Sequence, residues 1–128
     1  MKAIDEISGD VIGVAMAIHR ELGPGLLESV YETILAYKLA RLGYHVEQQK
    51  AVSFNYEDME FSAAFKIDLL VDRRLVVELK SVKRLQPVNS KQLLTYLRLM
   101  KLPVGLLINF GCDTLKEGVK RVVNNHQE

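Results

Sequence analysis

The sequence has a single cysteine, Cys112, and nothing for it to pair with. An intramolecular disulfide framework and a cysteine-based zinc site are therefore excluded, and Cys112 reads as a loop or strand-end thiol rather than a catalytic nucleophile. The three histidines, His19, His45 and His126, stand far apart with no partner at metal-ligand spacing, so surface or structural roles are expected of them. No apolar run approaches the roughly 20 residues that cross a bilayer. The opening stretch Met1-Lys2-Ala3-Ile4-Asp5-Glu6 carries acids where a secretory signal has an apolar segment. Together these absences point to a cytoplasmic protein with no membrane partner. Repeats, low-complexity tracts and linkers are also missing. The 128 residues fit one domain over 1–128, and an apolar fraction of 48% can supply its core. No separate recognition domain fits into that length.

Net charge is only +1, but the charges are unevenly placed. Residues 1–72 hold six Lys/Arg and twelve Asp/Glu. Residues 73–121 hold eleven basic side chains against three acids, Glu78, Asp113 and Glu117. A basic C-terminal half can meet a polyanion through its phosphates. The plainer alternative spreads these cations over several solvated faces.

Apolar periodicity assigns the elements. Ile4, Ile7, Val11, Val14, Ile18 and Leu22 recur at helical spacing and predict a helix over about 3–22, stopped by Gly23-Pro24-Gly25. A second helix is expected from near Leu26, with Leu27, Tyr31, Ile34, Leu35, Leu39 and Leu42 inward and Gly43 just past its end. The period then changes. Strands are expected over about 45–54, 61–71 and 75–82, with turns at 55–58 and 72–74, as an antiparallel run of three. Ser90 is the expected N-cap of a third helix carrying Leu93, Leu94, Leu97 and Met100. The near-continuous apolar run Val104–Phe110 suits a central strand covered on both faces. Residues 111–116 read as a loop, and periodicity leaves 118–123 open between strand and short helix. The predicted order is α-α-β-β-β-α-β-β, an α/β (α+β) fold with a mixed β-sheet flanked by helices.

Two strands in this scheme carry acids in apolar settings: Phe65-Lys66-Ile67-Asp68-Leu69-Leu70-Val71 and Val76-Val77-Glu78-Leu79-Lys80-Ser81. Glu78 and Lys80 lie two apart and share a strand face. If Asp72-Arg73-Arg74 is a three-residue turn, Val71 faces Leu75 and Asp68 comes opposite Glu78, with Cβ atoms about 5 Å apart. A slip of one residue would separate the two acids. Carboxylates that close repel each other and lose hydration in an apolar sheet, a costly arrangement for a scaffold. A divalent cation such as Mg²⁺ or Mn²⁺ resolves the conflict, because it takes hard carboxylate oxygens. It can also polarise a phosphoryl oxygen and acidify a bound water. Lys80 could then orient that water or stabilise charge at phosphorus. The competing reading is an ion pair of Lys80 with Asp68 or Glu78 on a solvent-facing side of the sheet.

Asp68, a short turn and Glu78-Leu79-Lys80 resemble the active-site hairpin of the PD-(D/E)XK nuclease superfamily, whose restriction-endonuclease-like core has this order of elements. Gln92 and Tyr96, four apart, resemble the QxxxY element of RecB-like members. A fuller resemblance, over nearly the whole chain, is to the small GxxExxR family within that superfamily. It is carried by Gly23–Glu32, Ile67–Val71, Val77–Ser81, Gln92–Leu97 and Gly105–Gly111. Two positions depart from the pattern: Tyr31 stands where the family name places Arg, and Ile67 precedes Asp68 where the superfamily has Pro.

This resemblance implies that Asp68 and Glu78 hold Mg²⁺ or Mn²⁺ with help from the Leu79 carbonyl, and that Glu28 adds a third carboxylate. Lys80 would position the attacking water, Gln92 would serve the active-site edge or a phosphate, and Tyr96 would pack beside it or touch the nucleic acid backbone. Glu28 also reads as a stabilising acid at a helix start, and Tyr96 also as a core aromatic; Glu32, one turn after Glu28, could sit near the site but reads first as a solvated-face acid. Lys83, Arg84 and Lys91 are candidates for backbone contacts, which position nucleic acid without reading it. The implied activity is metal-dependent phosphodiester hydrolysis of DNA without strong sequence specificity, with room for a homodimer. The alternatives are a non-catalytic nucleic-acid-binding module and a regulatory subunit of a larger DNA-processing assembly.

Overall fold

A computed structural model describes residues 2–125, so His126 lies outside the described residues. Nine elements follow in the order α1 (Ile4–Leu22), α2 (Glu28–Arg41), β1 (Val46–Tyr56), β2 (Met59–Val71), β3 (Leu75–Lys80), α3 (Pro87–Met100), β4 (Val104–Asn109), α4 (Leu115–Gly118) and β5 (Val119–Val123). The five strands form one sheet in the order β1-β2-β3-β4-β5. All neighbours are antiparallel except β3 and β4, which run parallel with α3 as the crossover. Among the described residues no helix is long and apolar enough to cross a membrane.

Helices cover both faces of the sheet, which is why β4 is buried along its whole length. On one face α1 and α2 contribute Ile7, Val11, Ile18, Tyr31, Leu35 and Leu39 and meet Leu69, Val71, Leu75, Val77 and Leu79. On the other, Leu93 and Leu97 of α3 meet Ile67, Leu70, Val76 and Leu107. Strict alternation along β2 breaks around Asp68: Ile67 and Leu70 both pack toward α3, whereas Leu69 and Val71 pack toward α1 and α2.

Several boundaries move for physical reasons. α2 begins at Glu28, because Leu27 is extended, and Leu27 is 75% exposed rather than inward. Leu42 is exposed too, since the chain leaves the helix there and Gly43 takes the left-handed conformation. The N-cap of α3 is Gln86, not Ser90: Pro87 opens the helix, and Gln86 and Asn89 exchange side-chain-to-backbone bonds. β1 and β2 each extend two residues further toward the turn than expected, because a two-residue turn suffices between Tyr56 and Met59. A single helical turn, α4, stands at the end of the expected loop, and 119–123 is a strand.

Candidate active site

The β2–β3 register has Val71 opposite Leu75, Leu70 opposite Val76 and Leu69 opposite Val77, and there the ladder stops. The next pair along this register is Asp68 and Glu78. They are not a backbone pair, as a regular hairpin would make them; each carboxylate takes the other strand's N–H instead. The Asp68 N–H donates to Glu78 Oε2 at 2.7 Å, and the Leu79 N–H donates to Asp68 Oδ2 at 2.8 Å. The two acids therefore sit in the wedge where β3 leaves β2, crossed through main-chain donors.

Burial pushes the Glu78 carboxyl up to about 8, and the Asp68 charge adds to the rise; the Asp68 N–H and the Lys80 charge work against it. Lys80, two residues on, is partly exposed and forms no ion pair within reach among the described residues. The competing ion-pair arrangement is thus absent, and its ammonium is available to a ligand. Across the wedge Tyr96 stacks on Phe65 with ring centroids 4.1 Å apart. Burial raises the Tyr96 phenol, and the nearby charges of Glu78 and Asp68 raise it further. Tyr96 is both a packing aromatic and a neighbour of the acidic pair. Gln92, one turn earlier on α3, is exposed and makes no side-chain hydrogen bond among the described residues.

The two glutamates of α2 sit in different surroundings. Glu28 is exposed in the first helical turn and lines an open cavity of about 430 Å³ with Gly25, Leu26, Ser81, Lys83 and Gly111. No hydrogen bond or ion pair joins it to Asp68 or Glu78 among the described residues. Glu32 is buried, at 8% exposure, rather than solvated. Its Oε1 accepts from Gln49 Nε2 at 2.7 Å and its Oε2 from Gln48 Nε2 at 3.1 Å. Gln49 Nε2 also donates to Asp68 Oδ1 at 3.1 Å. The helix phase carried the signal, because Glu32, Leu35, Ala36 and Leu39 fall on one stripe.

Asn109 is a second residue that the sequence reading missed. Fully buried at the end of β4, it accepts from the Val82 and Gly111 N–H groups and donates to the Val82 carbonyl. This clasp fixes the chain just past Lys80. At Gly111 a Cβ would lie 2.2 Å from the Val82 carbonyl oxygen, so only glycine permits the approach. Tyr31 closes the other side. It stacks on Phe110 at 4.3 Å, and its hydroxyl donates to the Gly23 carbonyl and accepts from the Leu26 N–H. The Ser81 hydroxyl then reaches the Leu26 carbonyl at 2.7 Å. Lys83 and Arg84 are exposed beyond this point and line a cavity of about 360 Å³ with Cys112, Glu117 and Lys120. Lys91 is exposed on the first half of α3. His19 is structural: its Nε2–H donates to the Cys112 carbonyl at 2.9 Å on the far side of this region.

Among the described residues no three His, Cys, Asp or Glu side chains gather closely enough to ligate one ion. The donor set of the pair nevertheless fits a hard divalent cation. Each carboxylate keeps acceptor capacity beyond its main-chain bond, the Leu79 carbonyl is adjacent, and a cation there would offset the burial that raises the Glu78 carboxyl.

The model of the PD-(D/E)XK nuclease superfamily matches residues 5–122, and the chain belongs to that superfamily. Its members are nucleases that generally use divalent metal ions, and the mixed five-stranded sheet with flanking helices agrees with their fold. No curated protein and no solved structure matches the chain.

Proposed function

We propose that this chain is a Mg²⁺- or Mn²⁺-dependent phosphodiesterase that cuts DNA without strong sequence preference, working in the cytoplasm as a single domain of the GxxExxR kind. The observation that carries this reading is the crossed Asp68–Glu78 pair beside Lys80, which has no ion-pair partner among the described residues. A scaffold gains nothing from such a pair, since each buried charge costs desolvation and the two repel.

Asp68, Glu78 and the Leu79 carbonyl would hold the cation, which supplies Lewis acidity to a phosphoryl oxygen and to a bound water. Lys80 orients the attacking water and offsets the negative charge that grows at phosphorus in in-line displacement. Tyr96, facing the pair from α3, and Gln92, one turn away, border the substrate side. Lys83, Arg84 and Lys91 take backbone phosphates, which positions the strand without reading its bases. Glu28, on the cavity it shares with Ser81 and Lys83, would serve the ion through water.

The test uses labelled single-stranded, duplex and flapped DNA, and RNA, with Mg²⁺, Mn²⁺ or EDTA. Metal-dependent cleavage should fall by about 10²–10³-fold or more in Lys80→Ala and vanish in Asp68→Ala. RNA cleavage alone would move the substrate class. Absence of any calorimetric Mn²⁺ binding would sink the proposal.

A further inference from the structure

Gln48 and Gln49 are consecutive residues of β1, and a regular strand would send their side chains to opposite faces. Both reach Glu32. The reason is in the backbone: Gln49 has φ of 49°, a left-handed conformation rare for a residue with a side chain. Its neighbours keep their partners, with Gln48 opposite Leu69 and Lys50 opposite Ile67, so the irregularity falls on Gln49 alone, across from Asp68. A non-glycine residue held in this region marks a constraint imposed by its surroundings. Here the kink aims one amide between two acids. The amide orientation is fixed chemically, because ionised carboxylates only accept hydrogen bonds and Gln49 must turn its NH₂ toward both.

We propose that Gln49 is a positioning residue for Asp68, and that buried Glu32 acts through Gln49 rather than as a ligand of the cation. This rests on the reading of Asp68 as a cation ligand. The relay Glu32–Gln49–Asp68 fixes Oδ1, and the Leu79 N–H fixes Oδ2, so the carboxylate is held at both oxygens before any ion arrives. Supporting hydrogen bonds of this kind typically matter 10–100-fold in metal affinity.

The test compares wild type, Gln49→Gly, Glu32→Ala, Glu32→Gln and the Gln49→Gly/Glu32→Ala double variant. Glycine adopts the kinked backbone without strain, so Gln49→Gly removes the amide while keeping the fold, which its thermal midpoint checks. Calorimetric Mn²⁺ titration should show about 10–100-fold weaker binding in Gln49→Gly. Glu32→Gln should bind more tightly than Glu32→Ala, because its amide carbonyl still accepts from Gln49. The double variant should be no weaker than the weaker single one. In metal-free ¹H–¹⁵N spectra the Leu79 amide resonance should move in Gln49→Gly while that of Val76 stays. Both the affinity loss and the Leu79 shift are required. An unchanged affinity, an unmoved Leu79 amide, or additive losses that make Glu32 a ligand in its own right would each overturn the proposal. If wild type binds no Mn²⁺, the functional reading fails, and the Leu79 amide alone then decides the relay.

Discussion

The two halves of β3 are built on opposite rules. Leu75, Val76 and Val77 are fully buried; all three pair with β2, and Val76 and Val77 pair with β4 as well. Glu78 and Lys80 are only partly buried, and from Glu78 onward the ladder to β2 is gone while the ladder to β4 continues. The comparison shows what the opening of a ladder makes available. Main-chain N–H groups of Asp68 and Leu79, which a regular hairpin spends on carbonyls, are turned onto carboxylates. The dry half anchors the strand; the open half receives charge without leaving it unsatisfied.

The largest effect expected from erasing this contrast comes from Glu78→Gln. The folded protein holds the Glu78 proton more tightly than the unfolded chain, so this group's contribution to stability is full below about 4.5 and is lost as pH rises through about 8. In EDTA the variant should therefore be more stable than wild type at pH 9, by an amount on the order of 4 kcal/mol, and nearly equal at pH 4. Urea unfolding of both proteins across that range would reveal it, and equal stabilities at pH 9 would contradict the burial of a raised carboxyl. Attacking the dry half instead, Leu75→Ala should cost about 3 kcal/mol at every pH, through transfer and cavity terms; a pH-dependent loss would show that the two halves are not separable.

Smaller effects sharpen the boundary beyond Lys80. Tyr31→Phe keeps the stack on Phe110 but removes the bonds to Gly23 and Leu26. It should cost about 1–2 kcal/mol in thermal unfolding. Lys83→Ala should leave stability within about 0.5 kcal/mol. Its mark would be a reduction of roughly one in the slope of log affinity for DNA against log salt; an unchanged slope would remove Lys83 from the phosphate path.

Much of this was legible in the sequence because it follows from periodicity. The third helix and the buried run 104–109 reflect apolar spacing, and the pairing of Val71 with Leu75 follows from the three-residue turn between them. What the sequence hid depends on breaks in periodicity. Nothing in Glu47-Gln48-Gln49-Lys50 announces a left-handed residue, so the reach of two adjacent glutamines to one acid was invisible. Glu32 was misjudged because charge was weighed above its place on the stripe with Leu35 and Leu39. Leu27 was misjudged the other way, since an apolar residue before a helix start belongs to no stripe. Asn109 falls inside the apolar run Val104–Phe110, where nothing in the spacing marks it as the strand's fastening.

The Asn109 clasp also sets an order of assembly. Val82 and Asn109 are 27 residues apart in the chain, with all of α3 between them. Contacts so distant pay their loop-closure entropy before they yield anything, whereas the β1–β2 hairpin closes across a two-residue turn. The strand that bears Glu78 and Lys80 thus acquires its fixed exit only after the crossover has docked. Pulsed hydrogen exchange during refolding should find the Val82 and Gly111 amides protected later than those of Lys50 and Val52. A chain caught partway carries both acids and the lysine, yet has no geometry in which to use them.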